Sequence, residues 1–447
     1  MISMRNLTIT MCLVMLTGYL FAGGFALSGV GSRATSMGGA FRGVSNDASA
    51  MYWNPAGLGF MNENSVHLGG TFIMPSASWD PTGTVVAGVP GFGPKEYEAK
   101  KELKMLPTVT ALMGKESRLK YGLGVFVPYG LGTKWDSYKL PTTHPSGAPL
   151  VYVDGFPEYP LLSSVSVIDV HPSVAYRLLH NLSVGAGLSL MQGNIDINKV
   201  DVKPEISVFS PITTELSGSG MGFGANLGLL FKPLPCLSLG LSGKLPSTIK
   251  MKGDADINLW KPASVDSLGN QVAPAKIGGK GDIEADLKLP AEIGIGFAYQ
   301  VMPNWTVSLD YAYTMWESLD EVEVQFKEIH PVLQSKKTTL PFNWENTSRV
   351  SLGTEYLCGL NKIRGGFFFD QSPIPEATQT PTLSDIGNKT SFNLGYGRVF
   401  GPIEVEANAQ YVMFPEREVK AVPENTNTPG VYNSQSVSGN LGLTYRF

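Results

Sequence analysis

From Ser65 onward, apolar and polar residues alternate with a period of two in segments separated by turns, a pattern typical of strands with one apolar face. The C-terminal segment shows it best, because Val437, Gly439, Leu441, Leu443, Tyr445 and Phe447 share one parity. The opposite parity holds small or polar residues, namely Ser438, Asn440, Gly442, Thr444 and Arg446. An alternation that ends on two aromatic residues of one face is typical of a membrane β-barrel, which carries aromatic girdles at its interfaces.

Two other segments place carboxylates on the polar face. Glu404 and Glu406 alternate with Ile403 and Val405, and Asp310 lies between Leu309 and Tyr311. Burying a carboxylate without a partner costs several kcal/mol, so these groups need water or a counterion. The polar lumen of a barrel supplies both.

About 14 segments follow this scheme, and they start near residues 64, 106, 119, 163, 182, 217, 236, 283, 305, 346, 362, 389, 403 and 435. An even number is expected of a bacterial single-chain barrel. The predicted fold class is therefore all-β, a transmembrane antiparallel β-barrel of about 14 strands.

The connections between the segments alternate strictly in length. Short turns lie near residues 115–118, 180–181, 233–235, 302–304, 359–361 and 401–402. Long polar or Pro/Gly-rich stretches lie between them and include 75–105, 130–162, 251–282 and 371–388. Short periplasmic turns and longer extracellular loops are the asymmetry of an outer-membrane barrel. The sequence therefore predicts that both ends of the barrel domain lie at the periplasmic side.

Composition supports this class. Charged residues make up 16% of the chain, aromatics 10%, and there are 51 glycines; the mean hydropathy is near zero. No stretch after the N-terminus reaches the ~18 consecutive apolar residues of a membrane helix. The net charge of −4 gives no reason to expect a nucleic-acid partner.

Residues 1–26 are predicted to be a secretory signal peptide, with Arg5 as the basic residue and an apolar run from Leu7 to Phe21. Cleavage fits after Ala22 or after Ala26, and the alternative is a membrane anchor. Cys12 lies within this stretch, which leaves Cys236 and Cys358. Those two thiols are compatible with a disulfide in an oxidising compartment and do not establish one.

The stretch from Gly31 to Phe60 lacks both the helical period and the strand alternation. It is rich in small residues and carries Arg33, Arg42 and Asp47. Such a segment cannot form its own core, so we expect it to lie inside the barrel, where the wall satisfies its polar groups. The predicted domains are a signal peptide (1–26), an N-terminal hatch or plug (27–62) and the barrel (63–447).

Asn54, Pro55 and Ala56 form an NPA motif, and four further blocks follow it in order. These are PYGLGTKWD at 128–136, a long block from residue 289, SRVSLGTEY from 348 and FFFDQSPIP from 367. With these blocks the chain resembles the FadL/TodX family of outer-membrane transporters of hydrophobic compounds. The resemblance implies a monomeric barrel, a hatch that closes its periplasmic end, and an apolar ligand pocket below an extracellular groove.

The resemblance also implies a kinked third strand that opens a lateral gap in the wall, and Gly130 is the position that matches the kink. Gly122, Gly124 and Pro128 support it locally, because Pro removes a ladder donor and Gly tolerates a bulge. The alternative is that these residues only end a strand before a loop. We expect the NPA motif to meet the wall near this strand.

Members of the family hold basic residues near the polar end of the ligand. Lys199 continues the lumen-facing parity of the fifth strand, and Lys336 and Lys337 lie in a later loop. Each of the three is also compatible with a solvated loop lysine. No motif calls for a metal or another cofactor.

Each buried methylene group stabilises a bound alkyl chain by about 0.8 kcal/mol. Release into periplasmic water loses that stabilisation, whereas release sideways into the bilayer keeps it. The expected function is therefore uptake of long-chain fatty acids by lateral diffusion, and uptake of an aromatic hydrocarbon is the alternative. The expected partners are such a ligand and outer-membrane lipid. Two further alternatives stay open: a general porin and a barrel that holds a protein partner in secretion. No enzyme is expected: His171 and Ser173 share a strand face as a lipase would require, but Pro172 lies between them and no positioned acid accompanies them.

Overall fold

The computed structural model describes residues 24–80, 96–135, 160–202, 211–261, 264–265, 271–272, 275–383, 385–420, 422 and 427–447. Within these residues, fourteen antiparallel wall strands pair in chain order. The first strand also pairs with the last one over the whole span from Ser65–Arg446 to Asp80–Val431, so the sheet closes into a barrel. Across the same residues, no helix is long and apolar enough to cross a membrane.

Nine wall strands are continuous, and five are built from two segments each. The continuous ones are β1 (Ser65–Asp80), β2 (Lys104–Met113), β3 (Leu119–Trp135), β4 (Leu161–Leu179), β5 (Leu182–Val202), β6 (Pro211–Leu234), β11 (Asn361–Asp370), β12 (Lys389–Phe400) and β14 (Gly430–Arg446). The interrupted ones are β7 (Leu237–Lys244 and Ser247–Lys261), β8 (Ala275–Leu289 and Glu292–Met302), β9 (Trp305–Thr314 and Glu321–His330), β10 (Ser335–Pro341 and Thr347–Cys358) and β13 (Ile403–Met413 and Arg417–Val419). The predicted strand number and the order of strands and short turns are confirmed.

One predicted loop is wrong. Residues 251–282 were expected to form a long extracellular connection, but β7 continues to Lys261 and β8 begins at Ala275. The two strands extend beyond the apolar band because their outward charges pair across the ladder, as Lys252 does with Glu284 at 2.9 Å. Charges of alternating sign hide the hydrophobic alternation on which the strand prediction depended.

The outer surface of the barrel is apolar and the inner surface is polar, as the alternation predicts. Leu441, Leu443 and Tyr445 are exposed on the outside, whereas Ser438 and Asn440 are buried inside. Many other large apolar residues are exposed in the same way, as a bilayer-facing surface requires.

An N-terminal segment, residues 24–62, lies inside the barrel. It contains two short helices, α1 (Ser32–Ser36) and α2 (Ala50–Trp53), and a 3-10 turn (Pro55–Phe60). Its polar groups bind wall residues on opposite sides: Arg33 binds Glu355 of β10, Arg42 binds Glu292 of β8, and the Met51 carbonyl accepts from Asn226 of β6. A segment that is anchored to so many strands is enclosed by them.

The β2–β3 ladder is incomplete. It runs from Met113–Tyr121 to Val109–Val125 and then stops. Residues 104–108 of β2 pair with β1 alone, and on β3 Phe126 and residues 129–133 pair with β4. We call this unpaired stretch the β2–β3 opening. A bridge between Ala99 and Trp135 closes it at the extracellular end.

Candidate functional site

A cavity of about 280 Å³ lies in the lumen toward the extracellular end. Its lining is mostly apolar and comes from the N-terminal segment, from β1, β3, β4, β5, β8 and β10 with its break, and from the connections after β11 and β13. It includes Phe25, Trp79, Leu161, Val165, Ile195, Ile197, Leu287, Leu340, Phe342, Trp344, Ile374 and Leu383. We call it the outer cavity. Cavities that hold small ligands usually measure about 300–1,000 Å³ and are apolar with few polar groups.

Interruptions in neighbouring strands bring two tryptophans together at the outer cavity: Trp344 lines the cavity, and Trp316 packs against Trp344. Trp316 lies in the break of β9 and Trp344 in the break of β10. Because those residues leave the ladder, both indoles turn into the lumen, where their ring centroids lie 5.0 Å apart. Phe25 of the N-terminal segment packs against both, with its centroid 5.0 Å from Trp316 and 5.4 Å from Trp344.

A second cavity of about 80 Å³ lies at the wall. Its lining includes Lys104 of β2 and Gly130 and Thr133 of β3, so it lies against the β2–β3 opening, and we call it the wall cavity. The two cavities share Gly24, Gly132 and Asp385. The N-terminal residues around Gly24 therefore lie between the outer cavity and the opening.

The backbone of the N-terminal segment occupies part of the opening. Ala26 forms a β-bridge with Tyr129. Leu27 N–H donates to the Pro128 carbonyl at 3.1 Å, and Gly130 N–H donates to the Phe25 carbonyl at 3.3 Å. These bonds satisfy part of an edge of β3 that β2 leaves unpaired, and water does not reach such an edge inside a bilayer.

A bulge in β3 coincides with this opening. The β3–β4 register shifts between Phe126 and Tyr129, so Val127 and Pro128 together face one residue of β4. Pro107 of β2 and Pro128 of β3 border the opening on its two sides. Neither proline has an N–H to donate, so neither rim can complete a regular ladder there.

Asp385 is the charged residue that both cavities share. It belongs to the connection between β11 and β12, outside the membrane-spanning strands, and its carboxylate lies 3.4 Å from Lys389 Nζ. Burial raises the pKa of Asp385 to about 6. Its charge at neutral pH therefore depends on the neighbouring ammonium group.

The NPA residues lie against the wall, but not at β3. Asn54 Nδ2 donates to the Arg42 carbonyl at 3.0 Å and to the Leu229 carbonyl of β6 at 3.1 Å. Gly228 provides the room, because a Cβ there would lie 2.1 Å from Asn54 Oδ1. Pro55 and Ala56 begin the 3-10 turn and lie at the same wall glycine. The expectation that the motif lies near the kinked strand is wrong, since residues 25–27 fill that place.

The four candidate kink residues occupy different places. Pro128 is in the bulge itself, and Gly130 lies two residues beyond it in the wall cavity. Gly122 and Gly124 belong to the regular β2–β3 ladder. A Cβ at Gly122 would lie 2.7 Å from the Met51 side chain, so this glycine makes room for α2.

The three candidate lysines are separated. Lys199 lines the outer cavity. Lys336 and Lys337 are exposed on the outer segment of β10, where Lys337 binds Glu323 at 2.8 Å and Lys336 donates to the Lys327 carbonyl. Neither lines the outer or the wall cavity. Cys236 and Cys358 are free thiols.

Several cavity residues were not identified from the sequence. Trp79 lies in β1, Phe342 and Trp344 lie together in the break of β10, and Trp316, which packs on Trp344, lies in the break of β9. These three places are far apart along the chain, so no local spacing links them. Pro246 and Pro290 lie in the breaks of β7 and β8. Because proline interrupts a strand, these two residues were the sequence signal for the breaks. The predicted signal peptide lies outside the described residues up to residue 23, whereas Gly24 to Ala26 lie in the lumen.

A family model described as "Outer membrane protein transport protein (OMPP1/FadL/TodX)" matches residues 13–447. The long-chain fatty acid transport protein of Salmonella typhi is 22% identical over 377 residues, which cover 81% of this chain and 79% of that protein. A FadL homologue of Pseudomonas aeruginosa has a TM-score of 0.73 at 18% identity and covers 95% of this chain and 99% of that chain. The Ralstonia pickettii toluene transporter TbuX has a TM-score of 0.69 at 18% identity, with 94% and 99% covered. The likeness to the solved structures shows a common fold.

Proposed function

The chain belongs to the OMPP1/FadL/TodX family of outer membrane transport proteins, and from that premise we propose that it takes up long-chain fatty acids by lateral diffusion. It is an outer-membrane channel for hydrophobic compounds and not an enzyme. In the proposed route, the ligand binds in the outer cavity, passes Gly24 and Asp385 into the wall cavity, and leaves through the β2–β3 opening into the bilayer.

The observation that carries this proposal is the connection between an apolar cavity and a gap in the wall. The outer cavity shares lining residues with the wall cavity, and the wall cavity reaches β2 and β3 where they do not pair. Most of the surface that a ligand meets on this route is apolar, and Asp385 is the charged group that both cavities share. The stabilisation that the ligand gains in the cavity is therefore retained in the bilayer.

The N-terminal segment is proposed to be the plug that makes this route selective. Without it, a barrel of this size is a water-filled pore, which favours polar solutes over hydrophobic ones. Its residues 25–27 also cover the inner side of the opening. A small shift of these residues would join the two cavities.

Lys199 is proposed to bind the polar end of the ligand. It is the candidate lysine that lines the outer cavity, whose remaining surface is mostly apolar. A carboxylate beside an ammonium group keeps its charge, while the alkyl chain packs against Ile195 and Ile197.

The ligand class is tested by equilibrium binding to the purified, detergent-solubilised barrel. We expect saturable binding of radiolabelled oleate, with toluene as the competing hydrophobic ligand. Native mass spectrometry of co-purified ligand gives an independent identification. If toluene saturates the site and oleate does not, the chain carries aromatic hydrocarbons. If neither binds, the transport proposal fails and a structural role with a protein partner takes its place.

The lateral route is tested by Gly130→Trp. A Cβ at this position would meet Val127 at 3.4 Å and Leu27 at 3.9 Å, so the strand accepts a side chain while the indole fills the wall cavity. We expect oleate uptake by cells to fall about tenfold, which corresponds to about 1.4 kcal/mol of added barrier. Binding in the outer cavity should stay within a factor of about two.

Gly365→Trp on β11 is the matched control. A Cβ there would contact Thr354 at 3.6 Å, and both neighbouring strands are fully paired. We expect this variant to transport like the parent protein. Equal uptake by the Gly130→Trp variant and the control would exclude the β2–β3 opening as the exit.

A further inference from the structure

A small cavity adjoins the outer cavity among the outer segments of β7, β8 and β9. Its volume is about 40 Å³, and we call it the side cavity. It shares five lining residues with the outer cavity, namely Ile195, Ile197, Leu287, Leu340 and Phe342. Within the described residues, it shares none with the wall cavity. A ligand in the outer cavity can therefore extend into the side cavity, away from the route to the β2–β3 opening.

Two adjacent glycines form the hollow of the side cavity. Gly218 of β6 pairs with Gly253 of β7, and in the sheet this pair lies between Ile195 of β5 and Ile283 of β8. All four residues line the cavity. The row of inward positions across these four strands therefore lacks two side chains at its centre, and their missing volume accounts for the hollow.

The fold does not require a glycine at position 218. Its φ angle lies outside the positive range that favours glycine. A Cβ there would lie 3.4 Å from the Lys252 carbonyl oxygen and 3.6 Å from the Ile195 side chain, which are ordinary contacts. Gly253 differs, because a Cβ there would lie 1.9 Å from the Ser217 carbonyl oxygen. The side cavity is therefore open because position 218 has no side chain, although the backbone would accept one.

The side cavity offers water few partners. Among the described residues of its lining, Lys252 carries a charge, and its ammonium group pairs with Glu284 on the outer face at 2.9 Å. The inward side chains are apolar, and Ile283 and Val324 are almost completely buried. Water in a cavity needs several polar partners, so an apolar cavity stays dry and binds apolar groups instead. Such a group also restores the dispersion contacts that an empty lining lacks.

The side cavity lies along the strand that carries Lys199. Lys199, Ile197 and Ile195 are alternate residues of β5, and the two isoleucines line both cavities. The strand from Lys199 to Ile195 spans about 13 Å. At about 1.25 Å per bond, an extended chain of ten carbons spans about 11 Å and one of eighteen carbons about 21 Å. A fatty acid whose carboxylate lies at Lys199 therefore reaches the side cavity only when its alkyl chain is long.

We propose that the side cavity binds the methyl end of a long-chain fatty acid, and that Gly218 makes the channel selective for chain length by keeping this cavity open. The inference rests on the proposed uptake of fatty acids and specifies which of them bind best. Each methylene group that enters the side cavity strengthens binding about fourfold. Toluene is too short to occupy the Lys199 end of the outer cavity and the side cavity together.

Chain-length selectivity is tested by filling the side cavity. Gly218→Leu fills it from β6, and Ala285→Phe fills it from β8. Binding of radiolabelled decanoate and oleate is compared between parent and variant in the same detergent, so that partition of each acid into micelles cancels. We expect oleate binding to weaken at least about tenfold in both variants, which corresponds to about two methylene groups. Decanoate binding should stay within about twofold, which also shows that the outer cavity is intact.

Gly365→Leu on β11 is the matched control, because it makes the same substitution at a wall glycine that lines neither cavity. It should bind both acids like the parent protein. If the parent binds oleate and the two filled variants bind it equally well, the inference is wrong and the proposed function stands. Equal weakening of oleate and decanoate also contradicts the inference. If the parent binds neither acid, the proposed function fails and the inference fails with it.

The position of the methyl end is tested on the unmodified protein, where no variant can fail to fold. Crystals of the barrel are grown with palmitate brominated at its terminal carbon, and anomalous diffraction locates the bromine. We expect the bromine in the side cavity, between Gly218 and Val324. A bromine beside Phe25 in the outer cavity, or beside Gly130 in the wall cavity, would overturn the inference.

Discussion

A few buried ion pairs hold the N-terminal segment in the lumen. Both Glu355 oxygens accept from Arg33, at 2.9 and 2.6 Å, and Arg364 binds the same carboxylate at 2.6 Å. Arg364 continues to Glu406 at 2.6 Å. Removing one member of such a network leaves buried charge without a partner, which costs more than the pair itself contributes.

Glu355→Gln should therefore destabilise the segment. We expect the free energy of opening for residues 31–60 to fall by about 3–5 kcal/mol, since Arg33 and Arg364 lose their shared counterion. Hydrogen exchange measured peptide by peptide reports this local value. Glu284→Gln removes an exposed pair with Lys252, which solvent screens, and should leave the exchange of the barrel unchanged. Equal effects of the two variants would show that the buried network does not anchor the segment.

Residue types were predictable here, but their partners were not. The parity of β13 placed Glu404 and Glu406 in the lumen, where they are buried. Nothing in the sequence paired Glu355 with Arg33, because the two are 322 positions apart and belong to different elements. The same holds for Lys199: its parity indicated the lumen, but its position at the outer cavity depends on strand lengths and breaks.

At the scale of elements, the strands were predicted well because the bilayer imposes one rule on every strand. The outward face must be apolar, so the alternation persists even where glycine is frequent. The irregular features, such as the position of the bulge in β3, were not predicted because they do not follow that rule. The β3 bulge was expected at Gly130 and lies at Val127 and Pro128, and the role of residues 25–27 as its pairing partner had no sequence signal.

The pairing of residues 25–27 with β3 predicts where the mature chain begins. Cleavage after Ala26 would remove Phe25, which packs on Trp316 and Trp344, and would leave the Gly130 amide without its acceptor. We expect cleavage after Ala22. Mass measurement of the purified mature protein checks this, because the two products differ by four residues, and a chain that starts at Leu27 would contradict the proposed cover of the opening.

At the scale of the whole molecule, the wall and the N-terminal segment depend on each other. Outside the β2–β3 opening, the strands of the closed sheet satisfy one another's backbone groups, so the lumen side chains are left to bind either water or the segment. In the structure they bind the segment, through Arg33, Arg42 and the Met51 carbonyl. The barrel can therefore form without the segment, whereas the polar groups of the segment depend on the wall for their partners.

Deletion of residues 27–60 should convert the protein into an ion-conducting pore. The wall strands keep all their ladder bonds, and the inward carboxylates at 292, 310 and 355 become hydrated. The deleted stretch contains Arg33, Arg42 and Asp47, so the lumen loses one net positive charge and should prefer cations weakly. Planar-bilayer recordings should show stable current steps where the intact protein shows none. The reversal potential in a salt gradient should have the sign of a cation-selective pore.

Heat-modified migration on gels confirms that the variant is a folded barrel. A folded variant that stays silent would mean that residues 27–60 do not close the lumen, and a preference for anions would contradict the assigned lining of the pore.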